Sequence, residues 1–296
     1  MNIHDKHVSL PRKLADRLWL LGNSYFNLYL AQGDNASVLM EMGVSATADE
    51  VARQLKILGV SPDYLVVMHP HGDHINGLPI LREYFPLARV ITGEGASEFL
   101  AHPKTAAGLV SDDRYFSEFL LREGFDFLRP PLHEPPSLER SIIMRDNNEL
   151  DLGGLTLRFL NVEGHALGNL AVYIPELKAL MPSDSLGFRI SARGFFPIYF
   201  TGYNDYMATL DRLQTLKPSI LGLAHQGPLS GEEVKTAFVA ARNSARYLWE
   251  KIKNDHRPEE EITEEIYRDY YRGELTYARP ENMIACCKLL IRRSKA

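Results

Sequence analysis

The sequence predicts an α/β body followed by a helical C-terminal extension. Three observations predict it. Short apolar runs alternate with helically spaced ones through the first part of the chain, and beyond about residue 230 only helical spacing continues. Between them, a continuous apolar run at 64–68 stops abruptly at His69-Pro70-His71-Gly72-Asp73-His74. Such a run, bounded by turn residues, reads as a buried strand that delivers a polar motif at its end.

In chain order, 18–22, 26–30 and 37–42 read as short strands, and 46–58 has apolar residues at helical spacing. After the strand at 64–68 come a strand at 89–92 and helical segments to about residue 121. Segment 124–137 contains Pro130-Pro131 and Pro135-Pro136, so it reads as an irregular crossing or lid. Residues 155–160 alternate as a half-buried strand leading into Glu163-Gly164-His165. Strands at 170–174 and 177–181 form a pair, the second delivering Asp184, and 219–223 delivers His225. Ser230 and Glu233 fit a capping box that opens a helix to about residue 252. Further helices follow at 263–271 and 280–291, the last with proline in its first turn. The body is therefore expected over 1–230 and the helical extension over 231–296.

Composition narrows the function. The 296 residues are 45% hydrophobic and 24% charged with a net charge of -5, an ordinary globular balance without the basic surface that nucleic acid requires. No run approaches the ~20 apolar residues that span a bilayer, and the polar start of the chain lacks the apolar middle of a signal peptide. Its two cysteines, Cys286 and Cys287, are adjacent, cannot staple distant segments, and read as buried small side chains. A cytoplasmic protein acting on a small molecule is expected, with no nucleic-acid or membrane partner.

The chemistry lies in imidazole. His69, His71, Asp73 and His74 place four ligands within six residues. Alternation sets His69, His71 and Asp73 on one side of an extended chain, and Gly72 lets His74 turn back to the same pocket. Neutral imidazole and carboxylate suit zinc, iron or manganese. His165, Asp184 and His225 each follow a predicted strand, so the rest of the chain can supply further ligands to one pocket. His4, His7, His102, His133 and His256 read as surface residues, with His133 kept as a pocket candidate. Glu163 is a candidate partner for a ligating histidine.

This pattern resembles the metallo-β-lactamase-fold superfamily. HxHxDH is matched in full at 69–74, and its later single-residue motifs are matched in order at His165, Asp184 and His225. The resemblance implies a four-layer αββα sandwich and two divalent metal ions, zinc foremost and iron or manganese otherwise. It assigns His69, His71 and His165 to one ion, Asp73, His74 and His225 to the other, and Asp184 to both. Asp73 would be the catalytic residue that also orients a shared hydroxide, so no serine or cysteine nucleophile is needed. Two departures stand out: Ser183 where hydrolytic members commonly have glycine, and Ala224-His225-Gln226 where they commonly have Gly-His-Gly.

Within the superfamily, the likeness points to glyoxalase II-like and quinolone-signal-response thioesterases, whose C-terminal helices roof the site. Segment 197–200 leading into Asp205-Tyr206-Met207 carries part of that likeness. Arg193 and Tyr199 are then candidate substrate contacts, and the aromatics between Phe195 and Tyr203 line either a tunnel or a core. Hydrolysis of an acyl-homoserine lactone or a phosphodiester uses the same ligands, and a regulatory protein that binds a partner with little catalysis would keep them too. A homodimer is an open arrangement, in which the tail could cover its own or a partner's site.

Overall fold

The computed structural model describes residues 9–127, 129–190 and 194–296. Its first sheet has seven strands in sequence order. Strands β1 (Arg12–Ala15), β2 (Leu18–Gly22), β3 (Asn27–Gln32) and β4 (Ser37–Met40) form an antiparallel meander. Helix α1 (Ser45–Leu58) then crosses to β5 (Tyr64–Val66), which lies parallel to β4. The helix ends on Gly59 at φ 68, whose N–H donates to the Leu55 and Lys56 carbonyls, a left-handed cap that glycine adopts without Cβ strain.

Helices α2 (Gly72–Ile75) and α3 (Leu78–Tyr84) lead to β6 (Arg89–Gly93), again parallel. Helices α4 (Ala96–Leu100) and α5 (Pro103–Arg122) precede a long irregular connection to β7 (Ile142–Met144).

The second sheet begins with β8 (Glu149–Asp151), β9 (Thr156–Asn161), β10 (Leu170–Ile174) and β11 (Ala179–Ser183), all antiparallel. A hairpin, β12 (Phe188–Ile190) with β13 (Gly194–Phe196), interrupts it. Helix α6 (Tyr203–Thr215) then returns the chain to β14 (Ile220–Leu223), parallel to β11, and β15 (Leu229–Ser230) closes the edge. The strand expected at 177–181 begins at Ala179 instead, because Pro175–Leu177 forms a 3-10 turn and Lys178 takes a left-handed φ of 46.

Alternation along the strands splits the core in two, as a sandwich requires. Leu18, Leu20, Tyr29, Ala31, Val38 and Met40 meet Leu157, Phe159, Leu170, Val172 and Met181 between the sheets. Their neighbours Leu21, Leu28, Leu30 and Leu39 face the helices, as do Leu180 and Leu221 from the second sheet. The four-layer αββα order follows.

Helices α7 (Glu232–Lys253), α8 (Glu259–Tyr270) and α9 (Pro280–Lys295) form the C-terminal part. They do not stand apart: Phe238, Ala241, Leu248, Ile266, Cys287 and Leu290 are buried in the same cluster as the body. The expected capping box is absent. Gly231 at φ 60 turns the chain into α7 without a side-chain cap, and Glu233 pairs with Arg189 instead. Among the described residues, no helix is long and apolar enough to cross a membrane.

Gly164 shows how tightly the site is seated. Its φ is +96, and a Cβ there would lie 2.3 Å from Tyr206 Cα. Backbone cannot yield as a side-chain tip can, so Gly164→Ala is expected to cost about 3 kcal/mol or more. The urea midpoint measures it; a variant as stable as the parent would show that α6 can move away.

Candidate metal centre

The candidate ligands gather at the C-terminal ends of the strands. His69 and His71 follow β5, α2 carries Asp73 and His74, and His165, Asp184 and His225 lie beyond β9, β11 and β14. One local expectation is corrected. Asp73 is not on an extended chain with His69 and His71: the extended backbone ends at His71 (φ -79, ψ 155), and Asp73 lies in the first turn of α2. The turn brings Asp73 and His74 round to the side of the pocket opposite His71.

Three overlapping groups have all their ligand atoms within 4.8 Å: His69–His71–His165, His69–His74–Asp184 and Asp73–His74–His225. In the first, His71 Nδ1 is 3.1 Å from His69 Nε2 and 3.2 Å from His165 Nε2, with 3.3 Å closing the triangle. Nitrogens bound at ~2.0–2.1 Å to one tetrahedral zinc lie about 3.3 Å apart, so the triangle fits such an ion. In the last group, His225 Nε2 is 3.4 Å from His74 Nε2 and 3.3 Å from Asp73 Oδ2. Asp184 reaches both sides, with Oδ2 3.7 Å from His165 Nε2 and 3.4 Å from His74 Nε2.

Four of the five histidines are held from behind. His165 Nδ1 donates to the Ile198 carbonyl at 3.0 Å and His225 Nδ1 to the Tyr25 carbonyl at 2.8 Å. His74 Nδ1 donates to Glu41 Oε2 at 2.8 Å, and His69 Nδ1 lies 3.1 Å from Ser183 Oγ. In a neutral ring with its proton on Nδ1, the Nε2 lone pair turns to the pocket. His71 is the exception and offers Nδ1.

Electrostatics separates the groups. Burial and then the neighbouring histidines push His69 well below its usual range; burial and then His165 push His71 down to about 3, so both stay neutral. Burial also lowers His165. Burial opposes charge on His74, yet Glu41, Asp73 and Asp184 together raise it well above the usual range; His225 is likewise raised, chiefly by Asp73. Burial disfavours the Asp73 and Asp184 anions, but the adjoining histidines, His74 foremost, hold both carboxyls below the usual range. The acidic side of the pocket thus carries negative charge that protons balance and a cation could balance equally.

Aromatic rings surround the ligands. Phe99 lies 5.6 Å from the His71 ring, Phe200 5.4 Å from His165, and Phe188 5.4 Å from His225. The tail enters here. Tyr277 stacks between Phe116 and Phe188, and its hydroxyl donates to Asp73 Oδ2 at 3.1 Å.

Tyr199, expected at the substrate, is fully buried, and its hydroxyl pairs with Ser294 of α9 at 2.9 Å; it joins body to tail. Arg193 lies outside the described residues, as do His4 and His7. Glu163 is exposed and engages Thr209 through its backbone, and the carboxylate behind a candidate ligand, His74, is Glu41 instead. Its one sequence signal was an acid ending an apolar strand. His102, His133 and His256 are exposed, and His133 lines a separate surface pocket with Leu78 and Arg82. Cys287 is buried and Cys286 half-buried, both as free thiols.

A family model described as metallo-beta-lactamase superfamily matches residues 22–225. A metallo-beta-lactamase fold-containing protein of Sulfurisphaera tokodaii is 27% identical over 220 residues, covering 69% of this chain and 73% of that protein. A hydroxyacylglutathione hydrolase of Ruegeria pomeroyi is 26% identical over 139 residues, covering 47% of this chain and 40% of its own length. Among solved structures, an inverting sec-alkylsulfatase from Pseudomonas superposes with a TM-score of 0.66 at 18% identity, covering 95% of this chain and 49% of that one.

Proposed function

The chain belongs to the metallo-beta-lactamase superfamily of metal-dependent hydrolases, and on that premise we propose that it holds two divalent ions and hydrolyses thioesters or related carboxylic esters. The observation that carries the proposal is the convergence of seven candidate ligands in three overlapping groups, with Asp184 within 4.0 Å of His69, His74, His165 and His225. Two ions there would supply Lewis acidity, lowering the pKa of a water and neutralising the oxyanion formed at the acyl carbon. Zinc suits the donor set best, with iron or manganese as alternatives.

The chain's own residues do the rest. Asp73 and Asp184 supply negative charge at the open side of the pocket, each 14–15% exposed where most of the histidines are sealed. Asp73 is placed to accept a proton from water, while Tyr277 fixes its second contact. Phe99 and Phe200 flank the pocket with apolar surface. Among the described residues, the ion pairs and hydrogen bonds of the seven ligands include none with Lys or Arg, which an anionic phosphoryl or sulfuryl group would recruit. The hydroxyacylglutathione in the name of the Ruegeria relative, an acyl group carried on glutathione, supports the same substrate class. A small-molecule substrate and a cytoplasmic setting accompany this reading.

The assay uses zinc-loaded protein with an aryl thioester, an acyl-homoserine lactone, a bis-aryl phosphodiester and a secondary alkyl sulfate. Thioester kcat/KM is expected to be at least about tenfold above the rest. Preference for the phosphodiester or sulfate overturns the substrate class; no turnover at all by protein carrying two ions favours a binding role.

Metal removal gives a second expectation. A chelator should lower hydrolysis by about 10^3-fold, with zinc restoring it. At an ion concentration of about 1,000 times Kd, binding adds ~4 kcal/mol to stability, so the melting temperature should fall by several degrees on chelation. Unchanged melting and activity in chelator would contradict metal dependence.

A further inference from the structure

Glu41 and Ser183, both near the pocket, occupy backbone conformations that side chains rarely adopt. Glu41, just beyond β4, has φ 68, and Ser183, the last residue of β11, has φ 49 and ψ -128. They belong to different sheets, both are buried, and they are bonded to each other: Ser183 Oγ donates to Glu41 Oε1 at 2.5 Å. Glycine would hold the Ser183 backbone with less strain. What serine adds is the hydroxyl.

The proton directions follow from that hydroxyl. Since Ser183 gives its hydrogen to Glu41, its oxygen is the acceptor for His69 Nδ1–H at 3.1 Å. The other Glu41 oxygen accepts from His74 Nδ1–H at 2.8 Å. One buried carboxylate therefore orients a ligand of the three-histidine group through Ser183 and a ligand of the aspartate-containing group directly. A cation on either Nε2 would make the corresponding Nδ1–H a stronger donor, and hydrogen bonds in such a chain polarise one another.

We propose that Ser183 is a positioning residue that couples the two metal groups: through Glu41, filling one pre-orients the ligand of the other, so the ions load as a pair. The inference rests on the two-ion reading above. It concerns how the ions are acquired, which neither the ligand set nor the fold dictates.

Zinc titration of the full chain against a competing chromophoric chelator tests it, comparing the parent with Ser183→Gly and Ser183→Ala. Glycine suits the backbone, so Ser183→Gly should melt no lower than the parent in chelator; alanine removes the hydroxyl while keeping a side chain. In both, the second ion's Kd should rise by about tenfold or more relative to the first. Glu41→Gln should weaken both ions. An amide NH2 facing Ser183 would turn its hydroxyl toward His69 Nδ1 and push that proton onto the ligating Nε2.

An unchanged ratio of the two constants in both serine variants overturns the coupling, whether or not both ions bind more weakly. A parent that takes up fewer than two ions overturns the two-ion reading itself, and the coupling with it. These two failures are distinguished in the parent titration alone.

Discussion

Asp184→Asn is expected to lower hydrolysis by about 10^3-fold or more and to leave at most one zinc per chain. The variant is nearly isosteric, so the effect isolates charge. Asp184 lies in the gap between the groups: Oδ2 is 3.4 Å from His74 and 4.0 Å from His69, and Oδ1 is 3.9 Å from His225. A carboxylate oxygen can serve two cations at once, whereas an amide offers one weak neutral oxygen and an NH2 that repels them. Removing the charge also removes the anion that, with Glu41 and Asp73, holds His74 above its usual range. Elemental analysis and steady-state rates of the same preparation check both halves. Two retained ions with a rate within tenfold of the parent would exclude Asp184 as the shared ligand.

The candidate ligands were legible because the segments that carry them follow apolar strands, where sequence pattern and position coincide. His69 to His74 needed only local reading, and His165, Asp184 and His225 only the expectation that strand ends converge. What supports them was not legible, since it depends on which strands become neighbours. Glu41 ends an apolar strand as a lone acid, and nothing local says that β11 will present Ser183 to it. Tyr277 meets Asp73 across 204 residues of sequence. Tyr199 failed in the opposite direction: an aromatic near the bridging aspartate in sequence, it turns to α9 because its hydroxyl finds Ser294 there. The helical extension could be located but its depth could not, because an amphipathic helix reads alike whether it lies on the body or inserts an aromatic into it.

Asp73→Asn is expected to reduce kcat by about 10^3-fold, and its coupling to Tyr277 shows how. Asp73 faces three ways: His74 Nε2 at 3.6 Å from Oδ1, His225 Nε2 at 3.3 Å from Oδ2, and the Tyr277 hydroxyl at 3.1 Å. Burial pushes the Tyr277 phenol well above its usual range, with Asp73 adding to the rise, so it stays protonated and donates. Its ring is fixed between Phe116 and Phe188, at 19° and 18° to them, so the hydroxyl is held in place by packing. Tyr277→Phe preserves that packing and should cost roughly tenfold in kcat, about what one positioning hydrogen bond contributes. If Tyr277 acts through Asp73, adding Tyr277→Phe to Asp73→Asn should cost little more, leaving an interaction energy of about 1 kcal/mol in the double-mutant cycle. Independent losses that multiply would show instead that the phenol touches the substrate. A Tyr277→Phe variant that loses zinc in parallel with activity would show that the hydroxyl supports Asp73 in holding the ion rather than in orienting water.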